Sequence, residues 1–308
     1  MSSQKSFTPR AWAELGLLAL VWGATFLSVR IALDEIPVLT IVLHRTCWAA
    51  LALWIWVAWR GFDVPKDPRT WAAFAVMGLL NNVLPFGLMA WGQLTIESGL
   101  TAILNATTAL FGVLVAAIFF SDERLSARKL SGVMLGLTGV VLAIGPDALN
   151  GLDLRSLAQL AVIGGTLSYA FAGAWGRIHL SGLRPEVAAA GMLTAASLLL
   201  LPIVLVIDGP PSMDLTGRTW GALGYGSICG TAVAYLLYYR GLAAVGAGNL
   251  LIVTLMIPPI AIILGAVILD ETLPARAYAG FVLLALGLMV VNGRMPRLLA
   301  PRKRPRTG

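Results

Sequence analysis

His44 and Arg45 stand together inside a 22-residue stretch, 38–59, that holds no other charge. At 1.5 Å per residue a helix would place them about 10 Å from the nearer end of that stretch. An arginine so deep in hydrocarbon costs about 2.5–3.5 kcal/mol on insertion scales unless it snorkels or pairs. It therefore either bonds carbonyls and a neighbouring helix or serves as countercharge for a carboxylate. Asn81-Asn82 lie about halfway along another apolar stretch, followed by Pro85, which frees a backbone carbonyl one turn back. Gln93 closes that stretch, and Asn105 with Thr107 and Thr108 lies in the next. Amides at such depth either bond between helices or line a cavity, where they would bind the carboxylate and ammonium groups of a small zwitterion. Trp22 and Tyr169 sit at matching mid-depth positions, away from the interfacial belt where aromatic rings usually anchor, and Tyr235 lies at intermediate depth. An aromatic wall would suit an aromatic or aliphatic side chain.

What is missing narrows the chemistry. Apart from Glu14, near the start of the first stretch, no acidic residue lies deep in an apolar run. A pump for cations would want a buried carboxylate to pair the cation and carry the exchanging proton, so a neutral or zwitterionic cargo is expected, with His44 or Glu14 as the candidates for any proton coupling. There is no Cys/His cluster, Walker loop or serine-nucleophile motif, and Cys47 and Cys229 both fall inside apolar runs. We expect no enzyme, no metal, no cofactor and no ATPase subunit.

Ten runs of about 20 mainly apolar residues must position these groups: 11–33, 38–59, 70–91, 98–120, 126–145, 156–178, 185–207, 217–239, 248–269 and 274–292. Each is long enough to cross the roughly 30 Å hydrocarbon layer. Hydrophobic residues make up 58% of the 308 positions and charged ones 12%, against about 45–50% and 25% in soluble domains. The first run is span-length and lacks an Ala-x-Ala cleavage pattern, so it reads as a retained helix. The expected fold is all-α and polytopic.

The connector Asp122-Glu123-Arg124-Leu125-Ser126-Ala127-Arg128 recurs 148 positions later as Asp270-Glu271-Thr272-Leu273-Pro274-Ala275-Arg276, and residues 122–141 match 270–289 at eight of twenty positions, including Gly132 with Gly280 and Gly139 with Gly287. The chain is a duplication, 1–147 and 148–308, with the seam within Gly145–Leu154. Five spans per copy is an odd number, so the copies must cross the bilayer in opposite senses. With the N-terminus in the cytoplasm, seventeen Lys and Arg fall in cytoplasmic segments and four (Arg30, Arg155, Arg218, Arg276) on the other face, which puts both termini in the cytoplasm. The net charge of +7 thus reports topology rather than a nucleic-acid partner, and the run Arg302-Lys303-Arg304-Pro305-Arg306 reads as an anchor at anionic lipid.

Trp22-Gly23-Ala24-Thr25-Phe26, Pro37 followed by Arg45, Asn105-Ala106-Thr107-Thr108 and Glu123-Arg124-Leu125-Ser126 ahead of Gly132, Gly136 and Gly139 together resemble the drug/metabolite transporter superfamily. Within it the chain is similar to the ten-helix EamA-type exporters, YddG-type amino-acid exporters above all. That resemblance implies two inverted five-helix repeats around a central cavity and export of small metabolites, often neutral or aromatic amino acids. Many relatives carry proline where this chain has Ala109, whereas the ninth run has Pro258-Pro259, so the resemblance places a kink in the ninth helix more firmly than in the fourth.

The expected function is export of amino acids or similar small zwitterions across an inner (cytoplasmic) membrane by alternating access. Trp22, Asn81, Asn82, Tyr169, Asn105 and Tyr235 would line the site, His44, Arg45 and Glu14 would supply charge or coupling, and Pro85, Gly132, Gly136, Gly230, Pro258 and Pro259 would serve packing and hinges. Gly241, Gly246 and Gly248 offer a further hinge between the eighth and ninth helices. The alternative is a drug or nucleotide-related metabolite exporter of the same superfamily, with or without proton coupling. Partners would be the small molecule and the bilayer. Single cysteines at Ser126 and Pro274 should label with impermeant maleimide from opposite sides of the membrane; labelling from one side would end the inverted-repeat reading.

Overall fold

The computed structural model describes residues 9–145, 153–246, 250 and 252–293, and these form ten helices with no strand among them. They are α1 Pro9–Ala32, α2 Val38–Trp59, α3 Pro68–Gly92, α4 Ser98–Phe119, α5 Ala127–Ile144, α6 Leu154–His179, α7 Pro185–Ile207, α8 Gly217–Val245, α9 Ile252–Leu269 and α10 Ala275–Val291. The first nine are long and apolar enough to span a bilayer, and α10 is a shorter apolar helix. Local chemistry sets their starts. Asp67, Ser126, Asp153 and Thr216 each accept a backbone N–H three residues on, the ordinary N-cap. The seam near residue 147, Gly248 and the basic C-terminal run lie outside the described residues.

Helix packing obeys an exchange rule. α1 packs on α9 and α6 on α4; α1 packs on α8 and α6 on α3; α2 packs on α7 and α5 on α10. Replacing each helix by the one five places along reproduces the same pairs, as two copies related by a pseudo-twofold must. The α5–α10 seam shows the sense of that axis. A Cβ on Gly139 would lie 2.6 Å from the Gly280 carbonyl oxygen, and one on Gly132 would lie 2.7 Å from that of Gly287. Gly132 and Gly139 are the repeat mates of Gly280 and Gly287, so each mate faces the other's counterpart. Residue numbers rise on one helix as they fall on the other, and equivalent helices therefore run antiparallel. The duplication is inverted, and small residues bring the two backbones into direct contact.

At the end of the bundle away from Pro9, four carboxylates tie one half to the other. Glu271 accepts from Ser98 N (3.0 Å) and Ser98 Oγ (2.7 Å) at the start of α4. Asp208 accepts from Thr40 N (3.0 Å) and Thr40 Oγ1 (2.8 Å) at the start of α2. Glu35 accepts from Thr216 N (2.9 Å) and the hydroxyls of Thr216 and Thr219 at the start of α8. Glu97 takes Arg155 Nη2 at 2.7 Å. The first three place negative charge on helix N-termini, where the macrodipole favours it. Hydrogen bonds from the Thr219 hydroxyl, then the Thr216 backbone and hydroxyl, hold the Glu35 carboxyl below its ordinary pKa. That link is complete above the ordinary carboxylate pKa and is lost as pH falls through the depressed value. Glu123, the repeat mate of Glu271, instead receives Lys129 Nζ of its own half at 2.9 Å.

One helix break contains no proline. α4 is interrupted at Ala106–Thr107, where the ladder tightens through Thr107 N to Leu104 O at 3.0 Å, whereas α9 runs unbroken through Pro258 and Pro259. No proline is needed, because the Thr107 hydroxyl donates to Leu104 O at 2.7 Å and so competes with the helix ladder.

Gly139→Val should destabilise the purified protein by roughly 1–3 kcal/mol, the usual range for overpacking, because rigid backbone cannot yield to it. Gly221→Ala, where an added Cβ meets nothing within 4 Å, should leave the thermal midpoint in detergent unchanged.

Candidate functional site

The described helices are broken or widened in three places, and all three lie near mid-span. In α3 the backbone opens into a π turn over Leu79–Val83, immediately before Pro85, with Leu84 N reaching back to Leu79 O. The wide turn accommodates a proline that cannot donate and would clash with the preceding turn. In α8 a longer π segment spans Tyr225–Val233 and contains Gly226 and Gly230. Adding the 148-residue offset to 79–83 gives 227–231, inside that segment, so the two widenings are symmetry mates. The third is the Ala106–Thr107 break in α4.

The π turns aim side chains at a common centre. Asn81 Nδ2 donates to Tyr235 Oη at 2.8 Å, and Tyr235 Oη donates to Asn82 Oδ1 at 2.9 Å. Asn82 is fully buried and its Nδ2 finds no partner. Arg45 reaches the same group from α2. Its Nε donates to Thr231 Oγ1 at 2.9 Å, its guanidinium lies 3.6 Å over the centre of the Phe86 ring, and Tyr169 and Tyr235 are near enough to feel its charge. Thr231 is fixed in turn by donating to Gly226 O at 2.8 Å, and Ser168, beside Tyr169 on α6, donates to Leu80 O at 2.7 Å. Each hydroxyl satisfies a carbonyl within one of the π segments. Beside Arg45, a crevice of about 10 Å³ between α1, α2 and α8 is lined by Ser28, Ile41, Leu223 and Gly226. That is below the usual 300–1,000 Å³ of ligand sites, so the centre is nearly closed.

Of the residues singled out from sequence, Asn81, Asn82, Tyr169, Tyr235 and Arg45 come together. Trp22 does not join them: its ring packs 5.7 Å from that of Tyr238 in a cluster with α9. Asn105 ends the first segment of α4 with its Oδ1 buried and unpartnered. His44 is buried, accepts the Trp48 indole N–H on Nδ1 at 3.1 Å and leaves Nε2 without a partner. Glu14 pairs with Arg10 (3.2 Å) and Arg240 (3.6 Å) at the end of the bundle that holds Pro9. Pro85 follows the first π turn, Gly132 faces α10, Gly136 faces Leu110 and Gly230 faces Thr25. Pro258 is buried and Pro259 exposed. Gly241 packs against Leu250, and Gly246 ends α8 at φ +78°.

Two inverted sets of five helices that widen at symmetric points around a polar centre form the architecture of a membrane carrier. The EamA-like transporter family model matches this chain twice, at residues 12–145 and 156–293. The chain belongs to the EamA-like transporter family. It is thus a multi-pass membrane transporter and not an enzyme. This EamA-like chain is similar to a "Probable amino-acid metabolite efflux pump" of Escherichia coli (26% identical over 295 residues, 89% of this chain and 92% of that one). It is also similar to a "Probable terminal-alkyne amino-acid exporter" of Streptantibioticus cattleyicolor (26% over 286 residues, 92% and 93%), and to "Uncharacterized transporter YoaV" of Bacillus subtilis (22% over 281 residues, 90% and 95%). A solved crystal structure shares its fold at TM-score 0.67 and 17% identity, covering 92% of this chain and 97% of that one.

Sequence reasoning missed Thr231, Phe86 and Ser168 as parts of the EamA-like centre. Their signal was indirect: Pro85 on one side and the Gly224, Gly226 and Gly230 cluster on the other mark where a helix can widen. Tyr235→Phe would leave both Asn81 and Asn82 without their shared hydroxyl, at roughly 1–3 kcal/mol for orphaning buried polar groups. A lower thermal midpoint is expected, while Tyr278→Phe, at an exposed position, should not move it.

Proposed function

We propose that this EamA-like chain exports small carboxylate-bearing metabolites, neutral and aromatic amino acids among them, across a cytoplasmic membrane by alternating access. The observation that carries this is the convergence of Arg45, Asn81, Asn82, Tyr169 and Tyr235 at mid-depth beside two symmetric π turns. A guanidinium suits a carboxylate, the amides and phenols suit its polar neighbours, and Phe86 and Tyr169 offer apolar faces. The relatives named for amino-acid export support the same class. Glu14 and Glu186, the only acids within the spans, lie in the first two turns of α1 and α7. That favours facilitated movement over coupling through a midplane carboxylate. A drug or nucleotide-related cargo fits less well, because one deep arginine is thin provision for a phosphate and no buried acid awaits a cation.

The charge bias favours a cytoplasmic Pro9, and on that assignment the Glu35, Asp208, Glu271 and Glu97 links close the outer face. Release then requires those links to part, as one half rocks against the other. Trp22, Asn105 and Tyr238 lie along the path rather than at the centre.

Purified protein in liposomes should take up labelled neutral amino acids, and Asn82→Ala should lower the rate by roughly tenfold, equivalent to about 1.4 kcal/mol. A protein that moves none of the twenty amino acids but moves phosphate esters would sink the substrate claim. Imposing and then abolishing a pH gradient reports coupling in the same assay: rates that do not change exclude the proton-coupled form.

A further inference from the structure

Charge at the centre is unbalanced. Asn82 Oδ1 is engaged by Tyr235, Leu80 O by Ser168, Gly226 O by Thr231, and Thr231 Oγ1 by Arg45. The oxygens left, Asn81 Oδ1 and the Tyr169 phenol, are neutral, and beside them stand spare donors and a cation. Asn82 Nδ2 is buried without a partner. Because Tyr235 has a single proton, reversing both amides would only move the spare NH₂ to Asn81, whose other neighbour is the Met192 sulfur at 3.8 Å. His44 stands apart, accepting from Trp48 on Nδ1 with its ring edge-on to Trp220, so the proton of a neutral ring, on the buried and unpartnered Nε2, is not counted with the centre. Arg45 adds a full positive charge whose neighbours are a hydroxyl and a phenyl face. Among the described residues no carboxylate lies within 4 Å of it, since every ion pair found involves other basic groups.

We infer that the centre recognises its cargo through the carboxylate alone and does not read the amine, so that amine-masked and amine-free carboxylates are carried as well as amino acids. This rests on the reading of the Arg45 group as the cargo site. A monoanion neutralises the buried guanidinium and fills the spare donors. A zwitterion leaves a net positive charge in a low-dielectric centre and must hold its ammonium near Arg45 with no acid to balance it. The spare acceptors, Asn81 Oδ1 within the group and Asn105 Oδ1 outside it on α4, are single neutral oxygens that leave an ammonium charge unbalanced.

Four compounds with one ring separate the cases: phenylalanine, N-acetylphenylalanine, 3-phenylpropionate and phenylalanine methyl ester. Uptake of each into proteoliposomes is quantified by mass spectrometry, with leakage into protein-free vesicles subtracted. N-acetylphenylalanine and 3-phenylpropionate should move within about threefold of phenylalanine or faster, and the ester at least tenfold more slowly. Arg45→Gln should abolish the uptake of all three acids, and Arg45→Lys should restore part of it. A normal thermal midpoint for Arg45→Lys guards against misfolding as the cause. If phenylalanine moves while its N-acetyl and amine-free forms do not, the amine is read and the inference falls, with amino-acid export intact; sensitivity of that uptake to Asn105→Ala would name the reader. If the acids move and phenylalanine does not, the inference stands and export of free amino acids falls. If none of the four moves, both fall.

Discussion

Hydrocarbon offers a backbone nothing to bond, so a helix that opens inside a membrane must satisfy its freed carbonyls from within the protein. This chain opens three helices at mid-span and meets that constraint with hydroxyls. Ser168 satisfies Leu80 O, Thr231 satisfies Gly226 O and Thr107 satisfies Leu104 O. Each hydroxyl also ties its helix to another element or to the polar centre. Thr231 accepts from Arg45 of α2, Thr107 shares a hydrogen bond with Thr166 of α6 at 2.8 Å, and Ser168 itself bridges α6 to α3. The polar centre is therefore a consequence of the openings. Remove the widened turns, and Asn81, Asn82, Thr231 and Tyr235 would follow a regular α-helical rotation, with no reason to converge on one point.

Inversion supplies the frame, and departures from symmetry supply the function. Mates α5 and α10 meet through mates Gly132, Gly139, Gly280 and Gly287, so that seam is self-complementary like an isologous interface. At the centre the rule is broken. The offset of 148 pairs Asn81 with Cys229 and Asn82 with Gly230, so one half gives amides where the other gives a thiol and bare backbone. Gly230 uses that space to admit Thr25 of α1, with no room for a Cβ. The linking carboxylates are equally one-sided. The same offset pairs Glu35 with Leu183, Glu97 with Val245 and Asp208 with Arg60; only Glu271 has an acidic mate, Glu123.

Much of this was legible in sequence because lipid makes coarse features emphatic. Ten apolar runs became ten helices whose bounds moved by a few residues, α8 the most, extending to Val245. Polar residues stood out against apolar stretches, which is why Asn81, Asn82, Arg45, Tyr169 and Tyr235 could be found singly. Trp22 and Asn105 were placed with them on depth alone, and depth does not fix rotation about a helix axis. Pro258-Pro259 suggested a kink in α9, where the helix stays continuous, while the break at Ala106–Thr107 went unmarked, since a threonine hydroxyl can open a ladder without advertising itself as proline does. The π turns were hidden for a similar reason: widening by one residue per turn leaves length, composition and hydropathy untouched.

The chemistry of the links at the end away from Pro9 bears on how such a bundle can move. Three of the four join a carboxylate to a backbone N–H and a hydroxyl rather than to a cation. The Glu35–Thr216 contact is exposed and exchanges with water at little net cost, while Thr40 and Ser98 are buried and meet water only as the halves part. The Asn81–Tyr235–Asn82 contacts have no such exchange available, since no solvent reaches the fully buried Asn82. Parting them requires a replacement ligand of matching shape and polarity. On the proposed function, links that water can replace at one end and a centre that only a suitable molecule can replace would make cargo binding the step that permits the two halves to separate.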